Sequence, residues 1–201
     1  MVAMMGTAMK PLSPTRLAGG LVAAVAGLAL SGCISLSPKS PDELFRLTAD
    51  QSPPAGASAG GPLTEAIFVL DPETDRSLDV LRIPVRVDDS RVAYLKKAAW
   101  IEKPARQFRA LLAETLRART GRLVVEGGDF EAAGRTRLGG RLLQMGYDAP
   151  SGAVVVRFDA VVSAGEGGRQ LRSRRFEATV RGIDPRPEFV GPAINQAANA
   201  V

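Results

Sequence analysis

Cys33 is the only cysteine among 201 residues, so no disulfide can form within the chain. Any domain built from this sequence must hold together through its apolar core. The chain also has no histidine, which removes the commonest general base and the commonest metal ligand. Zinc sites, Cys–His pairs and Ser–His–Asp triads are thereby excluded. Only carboxylate, Lys, Tyr or Ser chemistry remains, which argues against an enzyme. Neither a cofactor nor a bound metal is expected.

The position of the cysteine carries further information. Lys10 and Arg16 precede an apolar run of 14 residues, Leu17 to Leu30, and small residues follow up to Cys33. This is the layout of an export signal. A membrane span needs about 20 residues, and this run is shorter and rich in Ala and Gly. Leu30-Ser31-Gly32-Cys33 resembles the lipobox of bacterial lipoproteins, in which the cysteine takes lipid on its thiol and becomes the new N-terminus. A diacylglycerol plus an N-acyl group supplies the several chains that stable anchoring requires. Cys33 is therefore the expected lipid-attachment residue, with residues 1–32 as signal peptide. Met9-Lys10 would open a signal of more ordinary length.

Without residues 1–32 the chain keeps 24 basic and 21 acidic residues, a net charge of +3. So mild a balance gives no reason to expect nucleic acid. The remaining 169 residues suffice for one domain. Residues 33–63 read as a lipidated tether, a short first strand at Asp42–Leu47 and a flexible loop dense in Pro, Gly and Ser. Residues 64–201 read as the main domain, which begins near residue 42 if the first strand is included.

Ala66–Leu70 is a nearly continuous apolar run, as in a strand buried on both faces. From Leu78 to Val87, Ile83, Val85 and Val87 alternate with polar positions, and Pro84 confines that strand to an edge or a bulge. Arg91–Lys96 is expected to pair next. Pro104–Thr120 is the clearest helix, with Phe108, Leu111, Leu112, Thr115 and Leu116 on one stripe. Gly121 suits its C-terminal stop. Three long strands follow at Leu138–Tyr147, Ala153–Ser163 and Gln170–Arg181, as antiparallel hairpins with one covered face. Val154, Val156, Phe158, Ala160 and Val162 share that face on the middle strand, and Phe176, Ala178 and Val180 on the last. An amphipathic helix carrying Phe189, Val190, Ala193, Ile194, Ala197 and Ala198 closes the pattern. It runs to Val201 without a cap, as a truncated helix would. The fold class is α/β: a mixed, mostly antiparallel sheet flanked by helices, as a single domain after the signal peptide.

Several motifs invite sharper readings. Asp71-Pro72-Glu73-Thr74-Asp75 places acids as a calcium loop does, but Arg76 and Arg82 stand where that loop needs Gly and Glu, so a turn is expected. The segment Gly165-Glu166-Gly167-Gly168 lies between two strands and reads as a hairpin turn, not a dinucleotide fingerprint. Arg169, Arg172, Arg174 and Arg175 form a basic cluster. It is either a solvated sheet face or a contact for anionic headgroups or an acidic partner. Trp100 either packs the helix start onto the sheet or anchors a partner. Trp100, Arg172 and Arg174 are thus the candidate partner-binding residues.

Taken together, the lipobox, the Ile67–Leu70 strand, Ile83-Pro84-Val85, the Trp100-Ile101-Glu102-Lys103-Pro104 stretch and the Ala-rich final helix are similar to one family. They resemble the ABC-type transport auxiliary lipoproteins, the lipoprotein partners of MCE-domain lipid transport systems, including the PqiC-like proteins. In that family a Trp followed by an acidic residue opens the first long helix, and Phe45-Arg46-Leu47 stands where a Tyr-x-Leu is common. The resemblance implies a periplasmic accessory subunit without catalysis. It would assist an MCE protein, a permease and an ATPase in moving phospholipids or other apolar compounds. Ile34 after the cysteine is not the Asp that some bacteria use to retain lipoproteins at the inner membrane, which favours the outer membrane. A homo-oligomer would suit a tubular partner. The alternative is a stand-alone module that binds a lipid or envelope polymer in its own cavity.

Overall fold

The computed structural model describes residues 41–127, 136–165 and 170–201. Cys33 and the signal segment lie outside these residues. Eight strands form one mixed sheet: β1 (Glu43–Phe45), β2 (Ile67–Val69), β3 (Arg82–Arg86), β4 (Val92–Trp100), β5 (Val124–Glu126), β6 (Thr136–Asp148), β7 (Ala153–Ala164) and β8 (Gln170–Arg181). Two helices, α1 (Pro104–Thr120) and α2 (Pro187–Ala200), complete the single α/β domain.

β6 organises the sheet. One of its edges pairs antiparallel with β7 along almost its whole length. The other edge is shared: β2 lies parallel to its start and β3 parallel to its end. Between those strands the chain stays on β6, where Leu70 N–H donates to Leu138 O and Glu73 N–H to Gly140 O, each at 2.9 Å. β5 extends from β2, and β4 then β1 extend from β3. The four parallel pairings are short, whereas β6–β7 and β7–β8 form long antiparallel ladders.

Local chemistry sets the bounds of these elements. α1 starts at Pro104, where a missing N–H costs nothing, and stops at Gly121, whose left-handed φ of 63° lets its N–H cap Arg117 O. All three residues of β2 are buried, as a strand covered on both faces requires. β3 begins four residues later than the alternation from Leu78 suggests. The Asp75 carboxylate accepts from Ser77 N–H at 2.8 Å and Leu78 N–H at 3.3 Å, and this local turn displaces the ladder. Pro84 sits at a register break between β3 and β4. It is not at an edge, since β3 has neighbours on both sides.

Both helices lie on one face of the sheet. Phe108 of α1 meets Phe158 of β7 edge-on, with ring centroids 5.0 Å apart. Val190 and Ile194 of α2 join the same core as Val154, Val156 and Met145. Each such buried side chain contributes about 1.5–3 kcal/mol of transfer free energy. A bulge between Leu142 and Gln144 shifts the pleat by one residue, so Leu142 and Met145 both face this core.

The loop after β1 is held down more firmly than its composition suggests. Leu47 N–H donates to Gln107 Oε1 at 2.9 Å, Thr48 N–H to Asn195 Oδ1 at 2.8 Å and Asp50 N–H to Asn199 Oδ1 at 2.9 Å. Amide side chains from both helices thus clip residues 47–50 into place. No periodicity marks this segment because its partners lie far away in sequence.

Two glycines let neighbouring strands approach. A Cβ at Gly140 would lie 1.9 Å from Asp159 O, and one at Gly146 would lie 2.2 Å from Pro84 O. Gly140 also has a φ of 136°, which L side chains rarely adopt. Gly140→Ala is expected to destabilise the domain by about 3 kcal/mol or more, through overpacking added to backbone strain. Gly152→Ala, at φ 58° with open space around it, should cost only about 1 kcal/mol. Denaturant midpoints of the two variants check this ordering.

Candidate interaction surface

Strand parity gives β6, β7 and β8 two unlike faces. On the helix side, Val154 lies opposite Val180, Val156 opposite Ala178 and Phe158 opposite Phe176. On the open side the cross-strand neighbours are charged. Arg175 grips Asp159 with two bonds, Nε to Oδ1 at 2.6 Å and Nη2 to Oδ2 at 2.7 Å. Arg157 pairs with Glu177 one row along. At the far end Arg86 of β3 and the Ser151 hydroxyl both bond to the Asp148 carboxylate.

These contacts set the charges of the open face. The Arg86 bond, helped by the Ser151 hydroxyl, holds the Asp148 carboxyl below its ordinary value even though burial opposes this. The Arg175 bond does the same for Asp159, with Arg157 and Arg141 adding to the effect. Both carboxylates stay ionised at neutral pH and are poor proton acceptors. Nothing here resembles an acid–base pair poised for catalysis.

Arg172 and Arg174 occupy the other face of β8, beyond the part that α2 covers. They stand opposite Val162 and Ala160. Both are exposed, and neither has an ion pair among the described residues. Arg174 lies over the Phe176 ring, 4.8 Å from its centroid. Leu171 beside them is 70% exposed. Of the basic cluster, Arg175 is neutralised by Asp159, and Arg169 lies outside the described residues.

Trp100 is placed differently from the expectation that it opens the helix. It is the last residue of β4, and α1 begins only at Pro104. Its side chain is 1% exposed and packs in the main core. The neighbouring short strand explains this. Phe45 pairs with Trp100, and Ile101 N–H donates to Phe45 O, so the chain passes its turn before the helix starts. A side chain so deeply buried offers no surface to a docking protein in this conformation.

The acidic stretch Asp71–Asp75 is not the turn expected of it. It runs beside β6, bridged at Glu73 to Arg141, because Glu73 N–H donates to Gly140 O and Glu73 O accepts from Leu142 N–H, and the turn follows at residues 76–78. Asp71 pairs with Arg109 of α1 at 2.9 Å, and Asp75 accepts from its own turn. Among the described residues no group of three or more acidic side chains gathers to hold a metal ion. Of the Gly165–Gly168 turn, residues 166–168 lie outside the described set. The strands it joins do pair as a hairpin from Ala164 and Gln170 onward. Arg109 and Arg117, which lie off the apolar stripe of α1, are not simply solvated. Arg117 donates to Glu126 of β5 at 2.8 Å, tying the helix to the sheet.

Sequence reasoning missed the charge ladder of the open face. The alternation of Arg157 with Asp159, and of Arg175 with Glu177, was visible, but which residues meet depends on register. Two clefts open on this face. One, of about 260 Å³, lies under the Asp75–Leu78 turn. The other, of about 420 Å³, lies between Asp148 and Arg181. Both open to solvent; the first is lined in part by Leu78, Pro84, Val92 and Met145, the second chiefly by polar and charged side chains.

The sheet is thus covered by helices on one face, carries Asp148, Asp159 and Glu177 each held by an arginine on the other, and bears Arg172 and Arg174 on its last strand with no acidic partner among the described residues. The chain belongs to the ABC-type transport auxiliary lipoprotein component family, whose pattern it matches over residues 45–200. It is therefore an auxiliary lipoprotein component of an ABC-type transport system, placed at a membrane of the cell envelope. No curated protein matches it significantly. Among solved structures it is similar to protein XCC0632 from Xanthomonas campestris, of the DUF330 family. That likeness has 16% identity and a TM-score of 0.60, over 78% of this chain and 88% of the other. An uncharacterized protein aligns at 14% identity and a TM-score of 0.59, over 76% and 88% of the two chains. A PelC dodecamer from Paraburkholderia phytofirmans aligns at 14% identity and a TM-score of only 0.40, over 72% and 90%. The first two likenesses concern the fold.

Asp148 also yields a pH prediction. Its folded pKa is lowered, so its contribution to stability is complete above the ordinary carboxylate range and is lost as pH falls through the folded value. Asp148→Asn should lower the melting temperature by a few degrees at neutral pH. The gap to the unsubstituted protein should close as pH drops below about 4. Thermal unfolding of both proteins across an acid series measures this.

Proposed function

We propose that this chain is a lipoprotein anchored through Cys33 to the periplasmic face of the outer membrane. There it docks an MCE-domain protein whose permease and ATPase move phospholipids or other apolar compounds across the envelope. The observation that carries this reading is a lipobox-like Leu30–Cys33 followed directly by the transport auxiliary domain. Ile34, in place of an inner-membrane retention Asp, favours the outer membrane. The domain acts by contact, without catalysis or a cofactor. Arg172 and Arg174, exposed and without ion pairs among the described residues, are the cations that meet an acidic partner. Several identical copies could surround a tubular partner.

A stand-alone lipid-binding module would need an enclosed apolar cavity. The space between helices and sheet is instead filled by Trp100, Phe108, Phe158 and Met145, all buried. The clefts noted above are open. Docking is therefore the better-supported reading.

A tagged full-length chain captured from membranes, with proteins identified by mass spectrometry, tests it. The unsubstituted chain should bring down an MCE protein with its permease and ATPase. Cys33→Ala should leave the membrane fraction and lose most of that capture. Recovery of bound lipid with no protein partner would instead support the stand-alone module.

A further inference from the structure

The described residues leave the sheet three outer edges, and they are unlike one another. β1 and β5 are three residues each, too short to template another strand. β8 is twelve residues long and pairs only with β7 among the described residues. Its register with β7 is unbroken from Ala164–Gln170 to Ala153–Arg181. It contains no proline and no bulge, although β3, β4 and β6 all carry register breaks. These are the devices that normally blunt an edge, and β8 lacks them.

Parity identifies the open groups. Gly182 N–H donates to Gly152 O just beyond the last pair. Even-numbered residues of β8 therefore bond inward to β7, and odd-numbered residues from Leu171 to Arg181 turn N–H and C=O outward. The charge along this edge is one-sided. Glu177 is the only acid on β8 and is held by Arg157, while Asp159 of β7 holds Arg175. Arg172, Arg174 and Arg181 have no acidic partner among the described residues.

We propose that β8 receives an extended acidic segment of the transport partner as an added antiparallel or parallel strand. The outward backbone groups of its odd-numbered residues supply the ladder. Arg172 and Arg174 on one face, and Arg181 on the other, select acidic side chains at alternate positions. This deepens the docking reading above and rests on it. Arginine guards alone would also discourage nonspecific pairing, so the test must separate backbone pairing from charge.

The probe is a peptide of alternating Val and Glu, titrated onto the full-length protein in detergent micelles. A Val–Lys peptide serves as the control. Hydrogen exchange should slow at the odd-numbered amides of β8 with the Glu peptide and not with the Lys peptide. Ser173→Pro removes one outward N–H and leaves the inner ladder intact, a position where an edge strand tolerates proline. It should weaken binding about tenfold with little loss of thermal stability, and so should Arg172→Glu combined with Arg174→Glu. No protection in the unsubstituted protein, or equal binding by Ser173→Pro, would overturn the proposal. If Ser173→Pro instead turns an oligomer into a monomer, the edge belongs to a second copy and the acidic segment is ruled out. Membrane capture separates the two readings. Equal transporter capture by Ser173→Pro and the unsubstituted chain would overturn the edge proposal and leave docking intact. Peptide binding without any transporter capture would leave the edge standing and overturn the docking reading.

Discussion

The shared edge of β6 is the constraint on which the rest of this structure depends. One strand carries β7 along one side and both β2 and β3, end to end, along the other. The two wings of the sheet, β2–β5 and β3–β4–β1, meet only through it. Such sharing demands close backbone approach at two points, and both points are glycines. Gly140 lies against the Asp159 carbonyl of β7, and Gly146 against the Pro84 carbonyl of β3. A side chain at Gly140 would push β7 off β6, and one at Gly146 would push the β3 wing off it. The bulge next to Leu143 serves the same end. It lets the start and the end of β6 turn apolar side chains to one face despite an odd spacing between them.

The helices secure the point where the N-terminal segment enters. Gln107 is 6% exposed, and both ends of its amide are used: Oε1 accepts from Leu47 N–H, and Nε2 donates to Glu102 O at 2.6 Å. Asn199 likewise accepts from Asp50 N–H and donates to Thr48 O. A pull on the preceding segment is therefore carried into both helices rather than into β1 alone. With lipid on Cys33, the eight steps from there to Pro41 would span at most about 28 Å when extended.

Much of this architecture is legible in the sequence where periodicity is strong. The span of α1, its Pro104 start and Gly121 stop, and the core-facing residues of β7 and β8 all follow from local pattern. Local pattern fails where long-range partners decide. Trp100 ends a strand because Phe45 pairs beside it, and nothing within the Trp100–Pro104 stretch reveals that. The clips on residues 47–50 join groups roughly 60 to 150 positions apart. The interaction surface divides in the same way. A basic cluster near residue 172 is plain from composition. That Arg175 is held by Asp159 while Arg172 and Arg174 meet no acidic partner among the described residues follows only from the register of β7 against β8.

The unequal edges of the sheet follow from how it is assembled. β1 and β5 end the two wings, and each is limited to the few residues that its parallel neighbour can pair. Parallel pairing needs long crossovers, and the chain supplies these as helix α1 and irregular segments, so the wing strands stay short. β6, β7 and β8 are joined by hairpins and can lengthen together at no topological cost. Length therefore accumulates at β8. Once long, that strand needs either a cover or a use. α2 covers its helix-side face at Phe176, Ala178 and Val180, but a helix on the face leaves the outward N–H and C=O groups untouched. The arginines accumulate on this strand, so among the described residues the longest open backbone ladder and the cations without an acidic partner coincide.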